Sequence, residues 1–174
     1  ASYNILAEIY ATRQVYPYCP FWALSWAYRR KLVLERLLHL RADVICLQEV
    51  QVDHFEDFLY PEMLKAGYEG LYKQKTRNSG MEHKGKRDKS GRIVTGGDES
   101  KVDGCALFFL RDRFKLLEKY VIEFNDAAMA MARAGMFGGS DDTRQAERAL
   151  KRLLRDNVAQ VVVLETKPGL RLYG

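Results

Sequence analysis

Apolar residues along the chain alternate between two periods, and the switches between them mark the elements. Tyr3 to Ala7 reads as a short strand, and the Tyr-Pro-Tyr-Cys-Pro stretch at 16–20 as a loop. Ser25 is a plausible N-cap, because Leu32, Val33, Leu37 and Leu38 then follow at helical spacing toward Leu40. Asp43 to Glu49 is a mostly apolar, β-branched run, the pattern of a buried strand ending near Glu49. Asp53 and Glu56 have capping-box spacing ahead of Phe55, Phe58 and Leu59. Gly67 would close that helix, and Pro61 would break or kink it.

A strand over 70–73 precedes a stretch without periodicity, Thr76 to Ser100, which carries five glycines and reads as a long mobile loop. Gly104–Leu110 and Phe114–Phe124 suggest a hairpin turning at Arg111-Asp112-Arg113. Helices are expected over 126–134 and 142–155, separated by Gly138-Gly139. A strand over 157–167, the Lys167-Pro168-Gly169 turn and a strand from Leu170 to Tyr173 complete the reading. The order β-α-β-α-β-β-α-α-β indicates an α/β domain with a mixed sheet.

Composition narrows the class. Of 174 residues, 47% are hydrophobic and 29% charged, the balance of a globular domain rather than a disordered or coiled-coil chain. No apolar run nears the roughly 18 residues a membrane helix needs. Cys19, Cys46 and Cys105 are odd in number and lack CxxC spacing, which argues against a disulfide framework or a cysteine zinc site and for an intracellular chain. The net charge of +5 is local: Lys73 to Arg92 holds eight basic residues against Glu82 and Asp88. Such a block attracts polyanions, although a solvated loop is the plainer reading.

Single residues carry thin signals. Glu49 is an acid at the C-terminal end of a buried strand, where α/β folds often place ligand groups; it would be paired, solvated or metal-bound. Oxygen ligands of this kind suit Mg²⁺, and an ordinary ion pair is the alternative. Asn4 stands among apolar strand neighbours, so its amide needs a partner. His39 and His54 fall in helices and His83 in the basic loop, with no HExxH, and no GxSxG, P-loop or GxGxxG motif occurs. Tyr16, Tyr18, Phe21, Trp22 and Trp26 could stack bases or fill a core.

Together, "YNILAEIYATRQVYPYCPFWALSWAYRRKLVLE", "ADVICLQEV", "VDGCALFFLRDRF" and "RDNVAQVVVLE" resemble, in the same order, the nuclease domain of the catabolite-repressor-type deadenylases of the endonuclease/exonuclease/phosphatase superfamily. The resemblance covers nearly all 174 residues and the first half of that domain. It implies a two-sheet α/β sandwich, with residues 1–174 as its N-terminal part and 76–100 as a basic loop. It also implies a Mg²⁺-dependent 3′-to-5′ exoribonuclease acting on poly(A) tails, with two ions in the intact domain. Glu49 matches the Mg²⁺-binding glutamate, Asn4 the asparagine beside metals and scissile phosphate, and Lys75 a phosphate-contacting lysine of a relative.

The family's Asp-x-Asn pair and closing Asp and His have no counterpart, so the 174 residues alone are expected to be inactive. Single-stranded RNA and deadenylase scaffold subunits are the implied partners, with no membrane, and the cytoplasm, and also the nucleus, as location. Two alternatives remain: a phosphatase of the same superfamily acting on nucleotide or dinucleotide phosphates, and a non-catalytic paralogue that binds RNA or a partner.

Overall fold

A computed structural model describes residues 1–76, 102–136, 148, 150–154 and 156–168. The expected basic loop past Thr76, His83, most of the 142–155 helix and the strand from Leu170 lie outside these. Residues 148 and 150–153 are helical.

A four-stranded sheet forms the centre, in the order β1-β2-β4-β3: β1 Ser2–Asn4, β2 Val44–Gln51, β4 Asp103–Leu110 and β3 Tyr68–Gln74. β1 runs parallel to β2, and the other two pairings are antiparallel. Ile45, Leu47, Val50, Ala106 and Phe108 point to one face, where the helices bury them. β2 covers the expected run and ends two residues past Glu49. It continues to Gln51 through a bulge, because Gln48 pairs with Cys105 and Val50 with Gly104, leaving Glu49 as the extra residue, at φ +56°. Strand alternation after Ile45 and Leu47 would drive Glu49 into the core. The inserted residue puts Val50 there instead and leaves Glu49 half-buried.

α1 (Phe21–Leu24) leads into α2 (Trp26–His39), and the Ser25 Oγ accepts the Tyr28 N–H at 3.4 Å, as the N-cap reading requires. The apolar stripe is narrower than its spacing suggests: Val33 and Leu37 are buried, Leu32 and Leu38 exposed. The next helical segment is α3 (Val52–His54), a π-helical turn over Phe55–Leu59, and α4 (Tyr60–Lys65). Asp53 forms no capping box; its Oδ1 instead accepts the adjacent His54 N–H at 2.8 Å. Pro61 has no N–H to give the preceding turn, and the helix answers by widening just ahead of it rather than breaking. Gly67, at φ +91°, ends the helix as expected.

The Gly104–Phe124 hairpin is not formed. Both edges of β4 are already taken by β2 and β3, so β5 (Phe114–Glu123) leaves the sheet and pairs antiparallel with β6 (Val158–Thr166). The turn from β4 into β5 is held by Arg113 paired to Asp43. This ribbon lies against the face of β4 that carries Cys105, Leu107 and Phe109, where Gln160 Nε2 donates to the Cys105 carbonyl at 2.9 Å. Glu123 joins the layers a second time, accepting from Lys73 Nζ and Thr76 Oγ1, each at 2.7 Å; these bonds hold its carboxyl below the usual range. α5 (Phe124–Arg133) follows β5. Two sheets with outer helices are the expected sandwich.

His54 is a buried part of the core, stacked on Trp26 with centroids 4.1 Å apart. Burial pushes its pKa below the ordinary value, outweighing the carboxylates of Asp53 and Glu8, and Arg29 acts in the same direction as burial. The folded state therefore keeps the imidazole neutral while the unfolded chain takes up a proton near pH 6.5. Its stabilising contribution is complete above about pH 6.5 and is lost as the pH falls below that value. The expected result is a melting temperature that declines between pH 7.5 and 5.5 and a flatter profile for His54→Phe. Parallel profiles would mean that another group sets the dependence.

Candidate active site at the ends of β1 and β2

The bulge turns Glu49 toward the end of β1, which ends in Asn4. Glu49 Oε1 accepts from Asn4 Nδ2 at 2.7 Å, and Oε2 accepts from the Ala7 N–H at 3.3 Å. Asn4 Oδ1 accepts the Leu6 N–H at 2.9 Å, so this amide, exposed at the strand end, has a partner on each side. The following loop is tied down at several points. Gln51 Oε1 accepts the Ile9 N–H at 2.9 Å, Glu8 Oε1 accepts the Trp26 N–H at 2.6 Å, and Arg29 Nη1 donates to the Ile5 and Leu6 carbonyls at 2.9 Å. Asn4 and Glu49 are thus pre-positioned, and among the described residues Glu49 is neither in the apolar interior nor held by an arginine.

Lys75, just past β3, pairs with Asp103 Oδ2 at 2.7 Å. Tyr10 Oη donates to Asp103 Oδ1 at 2.8 Å, and its ring lies 5.8 Å from the Lys75 ammonium. Burial alone would lower the lysine's pKa; the hydrogen bond and charge of Asp103 more than offset it, so the pKa is raised and the ammonium stays charged. Tyr10 belongs to the loop whose Ala7 N–H is bound by Glu49, and Asp103 pairs with Gln51 two residues past Glu49, so the two clusters flank the same end of β2. Burial, and then the bond to Asp103, raise the Tyr10 phenol, so it remains a donor.

Beside Asn4, an open groove of about 700 Å³ runs between β1 and α2, lined by Leu6, Arg29, Leu32, Val33 and His39 among others. Of the aromatics that could stack bases, Trp26 is core, whereas Tyr18, Phe21 and Trp22 are exposed. The sequence reading brought together Asn4 and Glu49 and placed Lys75 nearby; it missed Tyr10 and Asp103. Asp103 heads the apolar run of β4, and an acid there needs a buried partner, the one signal that was open to it.

Among the described residues no group of three or more His, Cys, Asp or Glu is gathered as for a metal ion. The site offers one anionic oxygen donor, Glu49, half-buried and with lone pairs beyond those its two donors use. That donor set fits a hard divalent cation such as Mg²⁺, which takes one or two carboxylates and keeps several waters, and does not fit zinc.

Fold and site together define an α/β sandwich with an acidic, amide-braced site at its strand ends. The Endonuclease/Exonuclease/phosphatase family pattern matches residues 1–164, and the chain belongs to that family. It is 46% identical over 168 residues to the Carbon catabolite repressor protein 4 homolog 1 of Arabidopsis thaliana, covering 97% of this chain and 25% of that protein. It is 35% identical over 167 residues to the CCR4-Not complex 3′-5′-exoribonuclease subunit Ccr4 of Mycosarcoma maydis, covering 95% of this chain and 22% of that one. The structure of ANGEL2, a 2′,3′-cyclic phosphatase, in complex with adenosine-2′,3′-vanadate superposes with a TM-score of 0.64 at 30% identity, over 95% of this chain and 36% of ANGEL2. The chain therefore spans about a quarter of the curated relatives it matches, and the likeness to catabolite-repressor proteins read from the sequence holds. No helix among the described residues is long and apolar enough to cross a membrane.

Proposed function

We propose that the full-length protein is a Mg²⁺-dependent 3′-to-5′ exoribonuclease that shortens poly(A) tails. In this reading it works with the other subunits of a deadenylase complex in the cytoplasm and nucleus. The observation that carries the reading is the Asn4–Glu49 pair, turned out of the sheet by a bulge whose left-handed backbone is strained. In-line phosphodiester hydrolysis asks for charge neutralisation at the phosphoryl oxygens and for a fixed position of the reacting phosphate.

Glu49 would hold one cation, and a second is expected in the complete site. When bound, the ions polarise the phosphoryl oxygen and lower the pKa of the attacking water. Asn4 fixes the Glu49 carboxylate through its amide N–H and stands where a non-bridging phosphate oxygen would compete for that donor. Lys75 supplies a permanent ammonium to the same phosphate, and exposed Tyr18, Phe21 and Trp22 offer faces for unstacked bases.

The test is full-length protein with 3′-terminal oligo(A), with Mg²⁺ and then with EDTA. Stepwise shortening that EDTA abolishes is expected. The ANGEL2 likeness favours a second reading, a phosphatase acting on nucleotide phosphates, and adenosine-2′,3′-cyclic phosphate and NADPH assayed in parallel would show preferential turnover if it holds. RNA binding without turnover of any of these substrates would leave the non-catalytic paralogue.

A further inference from the structure

We infer that Asp103, together with Tyr10, is a positioning residue that holds the Lys75 ammonium apart from Glu49; the inference rests on the proposed roles of Lys75 and Glu49. Asp103 is 2% exposed and begins the strand between β2 and β3. Its two oxygens are used by groups from two other segments, Tyr10 from the loop after β1 and Lys75 from just beyond β3. The Lys75 backbone N–H also donates to the Asp103 carbonyl at 3.0 Å, so the lysine is fixed at both ends of its side chain.

A lysine side chain is long and flexible, and a free one samples many rotamers. The 2.7 Å ion pair with Asp103 engages the ammonium from one side, and an ammonium has three N–H donors, so a phosphate oxygen can be met from another. Register brings Glu49 to the same end of the sheet: Gln51 pairs with Asp103, Val50 with Gly104 and Gly104 with Gln74, so the bulge residue and Lys75 flank the start of β4 from its two sides. Were Asp103 uncharged, the ammonium would be free to turn to a neighbouring carboxylate, and a lysine paired to Glu49 competes directly with a divalent cation. The Asp103–Tyr10 pair therefore keeps two positive charges on separate carboxylates: the ammonium on Asp103, the metal on Glu49.

The test is a double-mutant cycle in the full-length protein, using Asp103→Asn, Lys75→Met and the pair, with Tyr10→Phe as a milder variant. Free Mn²⁺, followed by its electron paramagnetic resonance without RNA, reports metal binding; thermal unfolding reports the fold. Asp103→Asn should weaken Mn²⁺ binding about ten-fold, within the range for residues that act through a metal ligand. Tyr10→Phe should weaken it less. Adding Lys75→Met to Asp103→Asn should restore binding to the level of Lys75→Met alone, since the competing ammonium is gone.

A defect that persists unchanged in the double variant would overturn the inference and make Asp103 only structural; so would wild-type Mn²⁺ affinity in Asp103→Asn. If Asp103→Asn fails to fold, Tyr10→Phe carries the same cycle. Wild-type protein inert toward oligo(A) sinks the substrate reading, while the Mn²⁺ cycle still decides this one.

Discussion

Glu49→Gln in the full-length protein is expected to lower Mg²⁺-dependent shortening of oligo(A) at least about a hundred-fold while leaving the melting temperature close to wild type. Replacing residues that only support a metal ligand costs about 10–100-fold, and Glu49 is proposed as the ligand itself. Glutamine keeps the size and one carbonyl oxygen, so it can still accept from Asn4 Nδ2 as Glu49 Oε1 does. What it loses is the negative charge, together with the long 3.3 Å bond from the Ala7 N–H. The bulge itself is a property of the β2 register, with Gln48 and Val50 paired to neighbouring residues of β4, and survives the exchange. Activity within a few-fold of wild type, measured with the melting curve, would reduce Glu49 to a brace between β1 and β2.

This separation of charge from shape explains which parts of the site the chain itself made legible. Asn4 stands among apolar neighbours and Glu49 follows an apolar run, and a polar group in either place announces a need for a partner. Their meeting required only that β1 and β2 be neighbours, and they are parallel partners, with Asn4 opposite Gln48. The bulge was hidden, because period-2 alternation describes a regular strand and no residue type marks the insertion; Glu49 adopts φ +56° although it is not glycine. Tyr10 and Asp103 were hidden for another reason. They are 93 positions apart and meet only because β4 inserts between β2 and β3, a pairing that local pattern does not encode.

The same insertion defeated the hairpin expectation. Strands of β-rich sequence joined by three turn-forming residues pair with each other only when an edge is free, and β4 has none. Elements whose burial is decided locally were read well. Ser25 caps α2, and Gly67 ends α4. Leu32 shows the limit: it has the spacing of a core residue but lines the groove beside β1, since what faces a helix depends on the neighbour and not on the period.

Gly104→Ala is expected to be among the most destabilising single substitutions in the chain. A Cβ on Gly104 would stand 2.2 Å from the Lys73 carbonyl oxygen, 2.8 Å from Gln74 Cα and 2.9 Å from the Lys73 carbonyl carbon. All three are backbone atoms of the neighbouring strand, so relief requires β3 to move away from β4, with loss of their hydrogen bonds. At Gly70 the added carbon would meet ring atoms of Phe108 and Tyr60 at 2.6 and 2.8 Å, and rings can turn where backbone cannot.

Overpacking costs typically 1–3 kcal/mol, and a clash with a strand backbone belongs at the upper end, on the order of 3 kcal/mol. At about 150–250 residues that would be roughly 6–12 °C in melting temperature, and in the larger intact domain the shift is a smaller but still measurable fall, to be read by calorimetry on the full-length protein. The strand that must yield carries Lys75 just beyond its end, and Asp103 precedes the substituted residue, so the displacement pulls apart the ion pair beside Glu49. Mn²⁺ affinity should therefore fall even at temperatures where Gly104→Ala is still folded, and Gly70→Ala should leave it nearer to wild type. Equal melting temperatures for Gly104→Ala and wild type would show that β3 and β4 are not held as closely as their register implies.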